Sequence, residues 1–194
     1  VLRVAGKYGS SEGEAWMRYV TRLTFSAGSS LVEIAHTHIN DDLSREFSDI
    51  KSLGLEFLAP KKISAVLTDF PASETSGPRF LSSRSLSVFQ ADDRRSEWVV
   101  DGRPLQGGRS QGAWTVSGND AAAGLVVHDF WQRWPKGFQA DGERIQIGLL
   151  PAQPDATFGA KLPYYLMFPL VEGNYRFKWG MSSTERLTVD FSGK

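Results

Sequence analysis

The sequence contains no cysteine among its 194 residues. The chain therefore has no disulfide bond and no thiolate metal site, and cysteine usage says nothing about the redox compartment. An excess of charge is also missing, because 22 Lys and Arg residues balance 22 Asp and Glu residues. General nucleic-acid and membrane-surface binders normally carry a basic excess, so we expect neither nucleic acid nor membrane as a partner. Recognition of an anion would require a local cluster of cations.

Long apolar runs are missing as well. The longest uncharged apolar stretch, residues 162–171, is too short to cross a bilayer and contains two prolines. No signal peptide is recognisable, and the sequence starts at Val1 and stops at Lys194, so we expect a piece of a longer protein. There is no phosphate loop, nucleophile elbow, His-Glu-x-x-His motif or calcium loop. We therefore expect no cofactor, although use of calcium stays open.

The sequence does contain the turn-forming residues typical of a β protein, with 19 glycines and 9 prolines between short apolar runs. In residues 16–25, Met17, Tyr19, Leu23 and Phe25 alternate with polar residues, which is typical of a strand with one buried face. Further strands are predicted at residues 31–39, 52–58, 62–68, 79–90, 97–100, 112–116, 123–131, 144–150, 164–170, 175–179 and 185–191.

Many short strands in one chain predict a single all-β domain over residues 1–194. The expected architecture is a large antiparallel β-sandwich with two broad sheets, of the supersandwich type. Residues 41–50 are predicted to form a short helix or a loop, and residues 69–78 a surface loop.

Two histidines lie two residues apart on the second predicted strand. His36 and His38 should share one face, because side chains alternate along a strand. The pair could supply half of a metal site, with Asn40, Asp41 and Asp42 as oxygen donors, or could transfer protons. The simpler alternative, which we favour over a metal site, is a strand face that emerges from the core into solvent.

The densest group of chemically active side chains is residues 128–136, His-Asp-Phe-Trp-Gln-Arg-Trp-Pro-Lys. Indoles stack on sugar rings, and cations bind carboxylates, Arg often in bidentate fashion. His and Lys also transfer protons. The alternation predicts that a strand ends at Trp131, with His128 either catalytic or an ordinary core histidine. Residues 132–136 are predicted to form an exposed loop, whose composition favours binding of an acidic sugar.

Residues 175–179 alternate aromatic and cationic side chains. The three aromatic residues are predicted to face inward, which leaves Arg176 and Lys178 on the outer face. An ordinary amphipathic strand explains this pattern. If the outer face lines a cleft, the same two cations could bind a carboxylate.

Four motifs, in order along nearly the whole chain, resemble the central β-sandwich domain of the exo-acting rhamnogalacturonan lyase family. They lie at residues 16–25, 32–39, 128–136 and 179–184. The resemblance implies a multidomain enzyme in which this sandwich is flanked by another β domain and a helical domain. It also implies action on pectic rhamnogalacturonan or a related uronic-acid polymer. The chain departs from the family pattern after Thr184, where Glu185-Arg186 replaces the expected His-Glu pair.

The resemblance implies β-elimination next to a uronate. A base removes the C5 proton, a cation stabilises the charge on the carboxylate, and an acid protonates the departing O4. On this basis His128 is the expected acid or base, and Arg133 and Lys136 are the expected carboxylate partners. His36 and His38 are further candidates for proton transfer. The expected sugar-binding residues are Trp131 or Trp134 as the stacking platform, together with Gln132, Arg176 and Lys178.

Three functions stay open at this point, one of which is a hydrolase-associated sandwich that only orients a neighbouring helical barrel. The first is a domain of a secreted or periplasmic lyase that cleaves a uronic-acid-containing polysaccharide. Its partners would be acidic polysaccharide or oligosaccharide and the flanking domains. The second is a non-catalytic carbohydrate-binding or structural sandwich that supports an active site on a neighbouring domain. A catalytic domain should gather His128, Arg133 and a second proton-transfer group into one cleft.

Overall fold

The computed structural model describes residues 1–9, 15–59, 62–71, 78–118, 121–153, 170–171 and 173–193. The described residues contain no helix that is long and apolar enough to cross a membrane. They form seventeen strands, which are β1 (Leu2–Gly9), β2 (Ala15–Phe25), β3 (Leu31–Ile39), β4 (Phe47–Ile50), β5 (Leu53–Leu58), β6 (Ala65–Pro71), β7 (Pro78–Ser83), β8 (Leu86–Gln90), β9 (Ser96–Val100), β10 (Arg103–Gly107), β11 (Ala113–Ser117), β12 (Ala122–Val127), β13 (Lys136–Asp141), β14 (Arg144–Leu150), β15 (Leu170–Val171), β16 (Asn174–Lys178) and β17 (Ser182–Gly193).

The strands form two broad sheets and one small sheet. The eight-stranded sheet has the order β1-β2-β3-β17-β12-β11-β6-β7, and the six-stranded sheet has the order β10-β9-β8-β13-β14-β5. The small sheet consists of β15, β16 and β4. Neighbouring strands pair in antiparallel fashion in all three sheets. The prediction of a large antiparallel all-β sandwich is confirmed.

The main core lies between the two broad sheets. At its centre Trp114 of β11 stacks on Phe138 of β13, with ring centroids 4.0 Å apart, and Phe130 meets Trp114 edge-on. All three rings are buried, and burial of large aromatic surfaces supplies much of the free energy that holds the sheets together. A smaller core of Met17, Ile50, Tyr175 and Phe177 connects the eight-stranded sheet to the small sheet.

The strand predicted at residues 123–131 is too long. Strand β12 ends at Val127, and residues 128–133 form turns. Asp129 has a φ of 56°, a left-handed conformation that Asp tolerates better than most residues and that stops the extended chain. His128 is therefore an exposed turn residue and not a core histidine.

The prediction of an exposed loop at residues 132–136 is also wrong in part. Lys136 begins β13 and is buried, and Pro135 before it is buried too. The sequence pattern failed here because a lysine at the start of a strand suggests solvent, whereas this ammonium group is paired inside the fold.

Three other element predictions need correction or lie outside the described residues. Residues 41–46 form a loop, which is one of the two predicted alternatives, whereas residues 47–50 form strand β4, in which Ser48 and Ile50 point into the fold. The run at residues 79–90 is two strands in different sheets, divided at Arg84 and Ser85, whose N–H groups both donate to Asp101. Most of the strand predicted at residues 164–170 lies outside the described residues.

Candidate functional site

The inner face of the eight-stranded sheet changes character along strands β2, β3 and β17. Two cross-strand rows at one end are polar, namely Thr21, His36 and Glu185, then Tyr19, His38 and Ser183. Toward the other end the adjoining row is apolar, with Leu23, Ile34 and Leu187. Residues opposite each other in antiparallel strands share a face, so the polar side chains converge on one region between the sheets. A sandwich needs no such polar rows for its stability, and this marks the region as a candidate site.

His36 is held by hydrogen bonds at both ring nitrogens. The hydroxyl of Tyr8 lies 2.7 Å from Nε2, and Oγ1 of Thr21 lies 2.8 Å from Nδ1. Burial lowers the pKa of His36, although the charge of Glu185 acts in the opposite direction. Burial, and next the neighbouring Tyr19, raise the pKa of Tyr8 to about 12. Near neutral pH the pair is therefore a neutral imidazole that can accept a hydrogen bond from a protonated phenol.

His38 lies one row further along and is completely buried. Neither of its ring nitrogens has a hydrogen-bond partner among the described residues, and its ring packs edge-on against Phe177. Burial lowers the pKa of His38 to about 4, with further contributions from His36, Lys136 and Arg133. A buried imidazole without partners costs free energy, so it requires an explanation beyond packing.

Glu185 joins two cations across the gap between the broad sheets. One carboxylate oxygen lies 3.0 Å from Nη2 of Arg133 and 3.2 Å from Nζ of Lys136. Lys136 and Glu185 are each only 2% exposed, whereas the side chain of Arg133 is 37% exposed. The other oxygen of Glu185 is buried with no hydrogen-bond partner in the described part of the chain. The cations therefore differ in access, since Arg133 reaches solvent and Lys136 does not.

Both cations are also fixed by groups other than Glu185. Arg133 donates from Nη1 to the carbonyl of Thr184, at 2.5 Å, and from Nη2 to the hydroxyl of Ser183, at 2.6 Å. Lys136 donates to the carbonyl of Leu149 at 2.6 Å. Burial lowers the pKa of Lys136, and Glu185 partly offsets this shift. The positions of both cations are therefore determined by the fold itself.

We call these six residues, Tyr8, His36, His38, Arg133, Lys136 and Glu185, the Glu185 cluster. The cluster brings together four of the residues singled out in the sequence, namely His36, His38, Arg133 and Lys136. The prediction that the two histidines share a face is confirmed. The idea that this face emerges into solvent is wrong, because both rings are buried between the sheets.

His128 lies apart from the Glu185 cluster. Its ring contacts Thr188 at 2.9 Å, and its N–H donates to the carbonyl of Arg186. Thr188 and Arg186 alternate with the buried residues of β17, so they lie on the outward face, opposite to Glu185. The role expected for His128 stays a prediction, but this residue does not share a cleft with Arg133 and the other histidines.

The expected sugar-binding residues are dispersed. Trp131 lies under the guanidinium of Arg109, 4.4 Å from the ring centroid, whereas Trp134 packs against the smaller core. Gln132 is exposed. Arg176 and Lys178 lie on the small sheet and form ion pairs with Asp49 and Glu46, respectively. None of these contacts tests the expected binding roles, and those roles stay predictions.

Sequence reasoning missed two members of the Glu185 cluster, Tyr8 and Glu185, and also Thr21, which holds His36. Tyr8 lies on β1, a strand that was not predicted, and reaches His36 across β2. Thr21 was not considered, although the alternation of residues 16–25 places it on the face of Tyr19 and Leu23. Glu185 was noted only as a departure from a family pattern. Counting residues along β2 could have found Thr21, but only the strand order reveals the other two.

Comparison with known proteins concerns the part of the site that lies on strands β1, β2 and β3. Residues 1–67 match the family model described as the PcRGLX-like protein central beta sandwich domain. Over these residues the resemblance to the central domain of the rhamnogalacturonan lyases is confirmed. The matched segment contains Tyr8, Thr21, His36 and His38, and the carboxylate and cations of the cluster lie beyond it.

More distant comparisons give little. No curated protein matches the chain. One similar solved structure is that of a "Putative aldose 1-epimerase" from Escherichia coli K12, with a TM-score of 0.44 and 10% identity. The alignment covers 97% of this chain and 64% of that chain. At this level of similarity the structure gives no information on the function of the present chain.

Proposed function

We propose that this chain is the central sandwich of a polysaccharide lyase, and that the Glu185 cluster carries out β-elimination at a uronic acid. The observation behind this proposal is the convergence of a Tyr–His pair and a partly exposed arginine in a region where buried polar atoms have no hydrogen-bond partner among the described residues. The match of residues 1–67 to the PcRGLX-like central domain supports the choice of substrate class.

In this proposal Tyr8 is the residue that contacts the sugar. His36 is too deeply buried to reach a substrate, but its Nε2 lies 2.7 Å from the half-buried Tyr8 hydroxyl. The phenol oxygen takes the C5 proton while its own proton passes to His36. Thr21 at Nδ1 fixes the ring, and the nearby carboxylate of Glu185 favours the imidazolium. This is the general logic of a nucleophile or base activated by an oriented imidazole.

The remaining steps complete the balance of bonds. The C5–H and C4–O4 bonds break, the electron pair from C5–H forms the C4=C5 double bond, and O4 departs. The Tyr8 hydroxyl then gives its proton to O4, and His36 returns a proton to Tyr8. Arg133 binds the uronate carboxylate and stabilises the negative charge that develops on it.

Lys136 and Glu185 act on Arg133 and do not contact the sugar in this scheme. Glu185 holds Nη2 of Arg133 from inside the fold, and Lys136 compensates the charge of Glu185 in a site where both side chains are almost fully buried. This division follows from exposure, because Arg133 alone of the three charged groups reaches the surface.

The test is the ultraviolet absorbance of unsaturated uronate, measured while the full-length protein is incubated with a panel of uronic-acid polysaccharides. Tyr8→Phe and Arg133→Ala should each lower kcat/KM by about 100-fold or more, which is the usual contribution of an acid–base group or a charge-stabilising group. Arg103→Ala, at an exposed arginine of β10, is the matched control and should retain turnover. Full turnover in Tyr8→Phe would remove Tyr8 from the mechanism.

A second function is favoured by one observation, the near-complete burial of His38, Lys136 and Glu185. Such burial suits a non-catalytic sugar-binding or structural sandwich that supports an active site elsewhere. In that case both Tyr8→Phe and Arg133→Ala would keep kcat unchanged after correction for folded protein. Loss of activity in His128→Ala alone would instead restore the role expected from the sequence.

A further inference from the structure

A row of cations crosses the outward face of the eight-stranded sheet, on the side opposite to the Glu185 cluster. Arg3 of β1 pairs with Arg22 of β2. Across β3, Arg22 and Arg186 of β17 both pair with Ala35. Residues paired in this way share one face of a sheet, so all four side chains point outward. We call these four residues the arginine row, which spans about 14 Å at the usual strand spacing of about 4.8 Å.

The three arginines of this row are exposed, and neighbouring acids do not neutralise them. The described residues form no ion pair with any of the three, although Glu33 lies on the same face one row away. Arg3 and Arg22 are directly opposite each other, and like charges in that position destabilise a sheet. A cation on an edge strand can prevent pairing with another chain, which would explain Arg3 alone. Arg22 and Arg186 lie on interior strands, so they require another explanation.

The rows on both sides of the arginine row supply hydroxyl groups. Thr37 and Thr184 belong to one of these rows, and their hydroxyl oxygens are 2.8 Å apart. Thr24 and Thr188 belong to the row on the other side, where the hydroxyl of Thr188 lies 2.9 Å from Nε2 of His128. Guanidinium groups bind carboxylates in bidentate fashion, and hydroxyls can both donate and accept. The face therefore suits a polymer that carries carboxylates together with hydroxyl groups.

The composition of this face favours an acidic polysaccharide over a nucleic acid. Neither the arginine row nor the two rows beside it contain a Trp, Tyr or Phe on which bases could stack. The chain also has a formal net charge of zero, whereas nucleic-acid binders normally carry a basic excess. A single line of cations is complementary in charge to a linear polymer with carboxylates at intervals along its length.

We propose that the arginine row is a second binding surface for acidic polysaccharide, outside the site of elimination; the identity of the polymer rests on the proposed function. Glu185 and Arg186 are consecutive on β17, so they face opposite sides of the sheet. Arg3 and Tyr8 are five residues apart on the edge strand β1, about 17 Å, so only a chain long enough to cover that distance can occupy both places. The row then raises the affinity for long chains, because their second contact is intramolecular, and leaves kcat with short chains unchanged.

The test uses the full-length protein with long-chain polygalacturonate and with trigalacturonate. Binding is measured by calorimetry in the Tyr8→Phe background, so that the polymer stays intact during the measurement. Arg3→Gln, Arg22→Gln and Arg186→Gln should each weaken binding of polygalacturonate by about 3–10-fold, and the triple variant by about 30-fold or more. The affinity of the triple variant should also depend less on salt concentration. Binding of trigalacturonate should stay as in the wild type.

Two control variants separate the arginine row from net charge. Arg103→Gln, at an exposed arginine of β10, removes the same charge and should bind polygalacturonate like the wild type. Arg22→Lys keeps the charge and should retain more affinity than Arg22→Gln. Because the glutamine variants remove a pair of like charges, they should fold at least as well as the wild type, which circular dichroism and thermal melts establish.

The outcomes separate this inference from the proposed function. Wild-type affinity for polygalacturonate in the triple variant, with turnover lost in Tyr8→Phe, would overturn the second surface and leave the lyase intact. Weaker binding in the triple variant without lyase activity in the wild type would support the surface and refute the lyase. An equal loss in Arg103→Gln, or a lower kcat with trigalacturonate in the triple variant, would overturn the surface. Tighter binding of single-stranded DNA than of polygalacturonate, lost in the triple variant, would assign the row to nucleic acid instead.

Discussion

The buried pair of Glu185 and Lys136 makes a quantitative prediction about stability. Replacing Glu185 with Gln leaves the Lys136 ammonium in a site that is 2% exposed, with the Leu149 carbonyl as its described partner. Breaking a buried ion pair in this way costs about 3–5 kcal/mol. Lys136→Met should cost less, about 1.5–3 kcal/mol, because Glu185 keeps Arg133 at 3.0 Å.

The double variant Glu185→Gln/Lys136→Met should cost less than the sum of the two single variants. It removes both charges at once and leaves an amide beside a flexible thioether of similar volume. The expected coupling free energy is roughly 1–3 kcal/mol, measured from the midpoints and slopes of urea denaturation curves. Additive effects, or a larger cost for Lys136→Met than for Glu185→Gln, would refute this account of the ion pair.

The control is an ion pair of similar length at the surface. Arg176 and Asp49 are 3.0 Å apart on the small sheet, but both side chains are at least one-third exposed. Solvent screens such a pair, so the cycle of Arg176→Met and Asp49→Asn should give a coupling of about 1 kcal/mol or less. A comparable coupling in the two cycles would mean that burial is not what makes the Glu185 pair strong.

Two further predictions concern a buried imidazole and a constrained glycine. The folded state keeps His38 neutral down to about pH 4, whereas the unfolded chain binds its proton near pH 6.5. The free energy of unfolding should therefore decrease by up to about 3 kcal/mol as the pH is lowered from 6.5 to 4. His38→Gln should flatten that part of the pH profile, and His128→Gln, at the exposed histidine, is the control. Gly112→Ala should lower the free energy of unfolding by about 1–3 kcal/mol more than Gly28→Ala, as measured in thermal melts. Both glycines have positive φ, but only at Gly112 would a Cβ lie 2.5 Å from Phe130. Equal losses would show that the backbone at Gly112 shifts to accommodate the methyl group.

Alternation of residues along the strands predicted most of the fold. Strands β3 and β14 have the predicted bounds, and the shared face of His36 and His38 follows from the same period of two. The failures lie where a single residue overrides the pattern. Asp129 ends β12 by adopting a left-handed conformation, and this changed the environment expected for His128.

The candidate site was less predictable than the fold, because its members come from distant parts of the sequence. Tyr8 and His36 are 28 residues apart and lie on strands that are not direct neighbours. Lys136 meets Glu185 because one strand of each broad sheet faces the other. Local sequence patterns report which face a side chain occupies, but not which strand lies opposite or beside it.

The division of the inner face into a polar end and an apolar end also determines how the sandwich can open. At the apolar end, the hydrophobic effect keeps the side chains of Leu23, Ile34 and Leu187 packed in the core. Separating the sheets there would expose these apolar side chains to water. At the polar end, separation exchanges ion pairs and unpartnered groups for hydration, which is much less costly. Separating the sheets at Glu185 and His38 should therefore cost less free energy than separating them at the row of Leu23, Ile34 and Leu187. Under the proposed function, a sugar chain would enter at the polar end without unfolding of the domain.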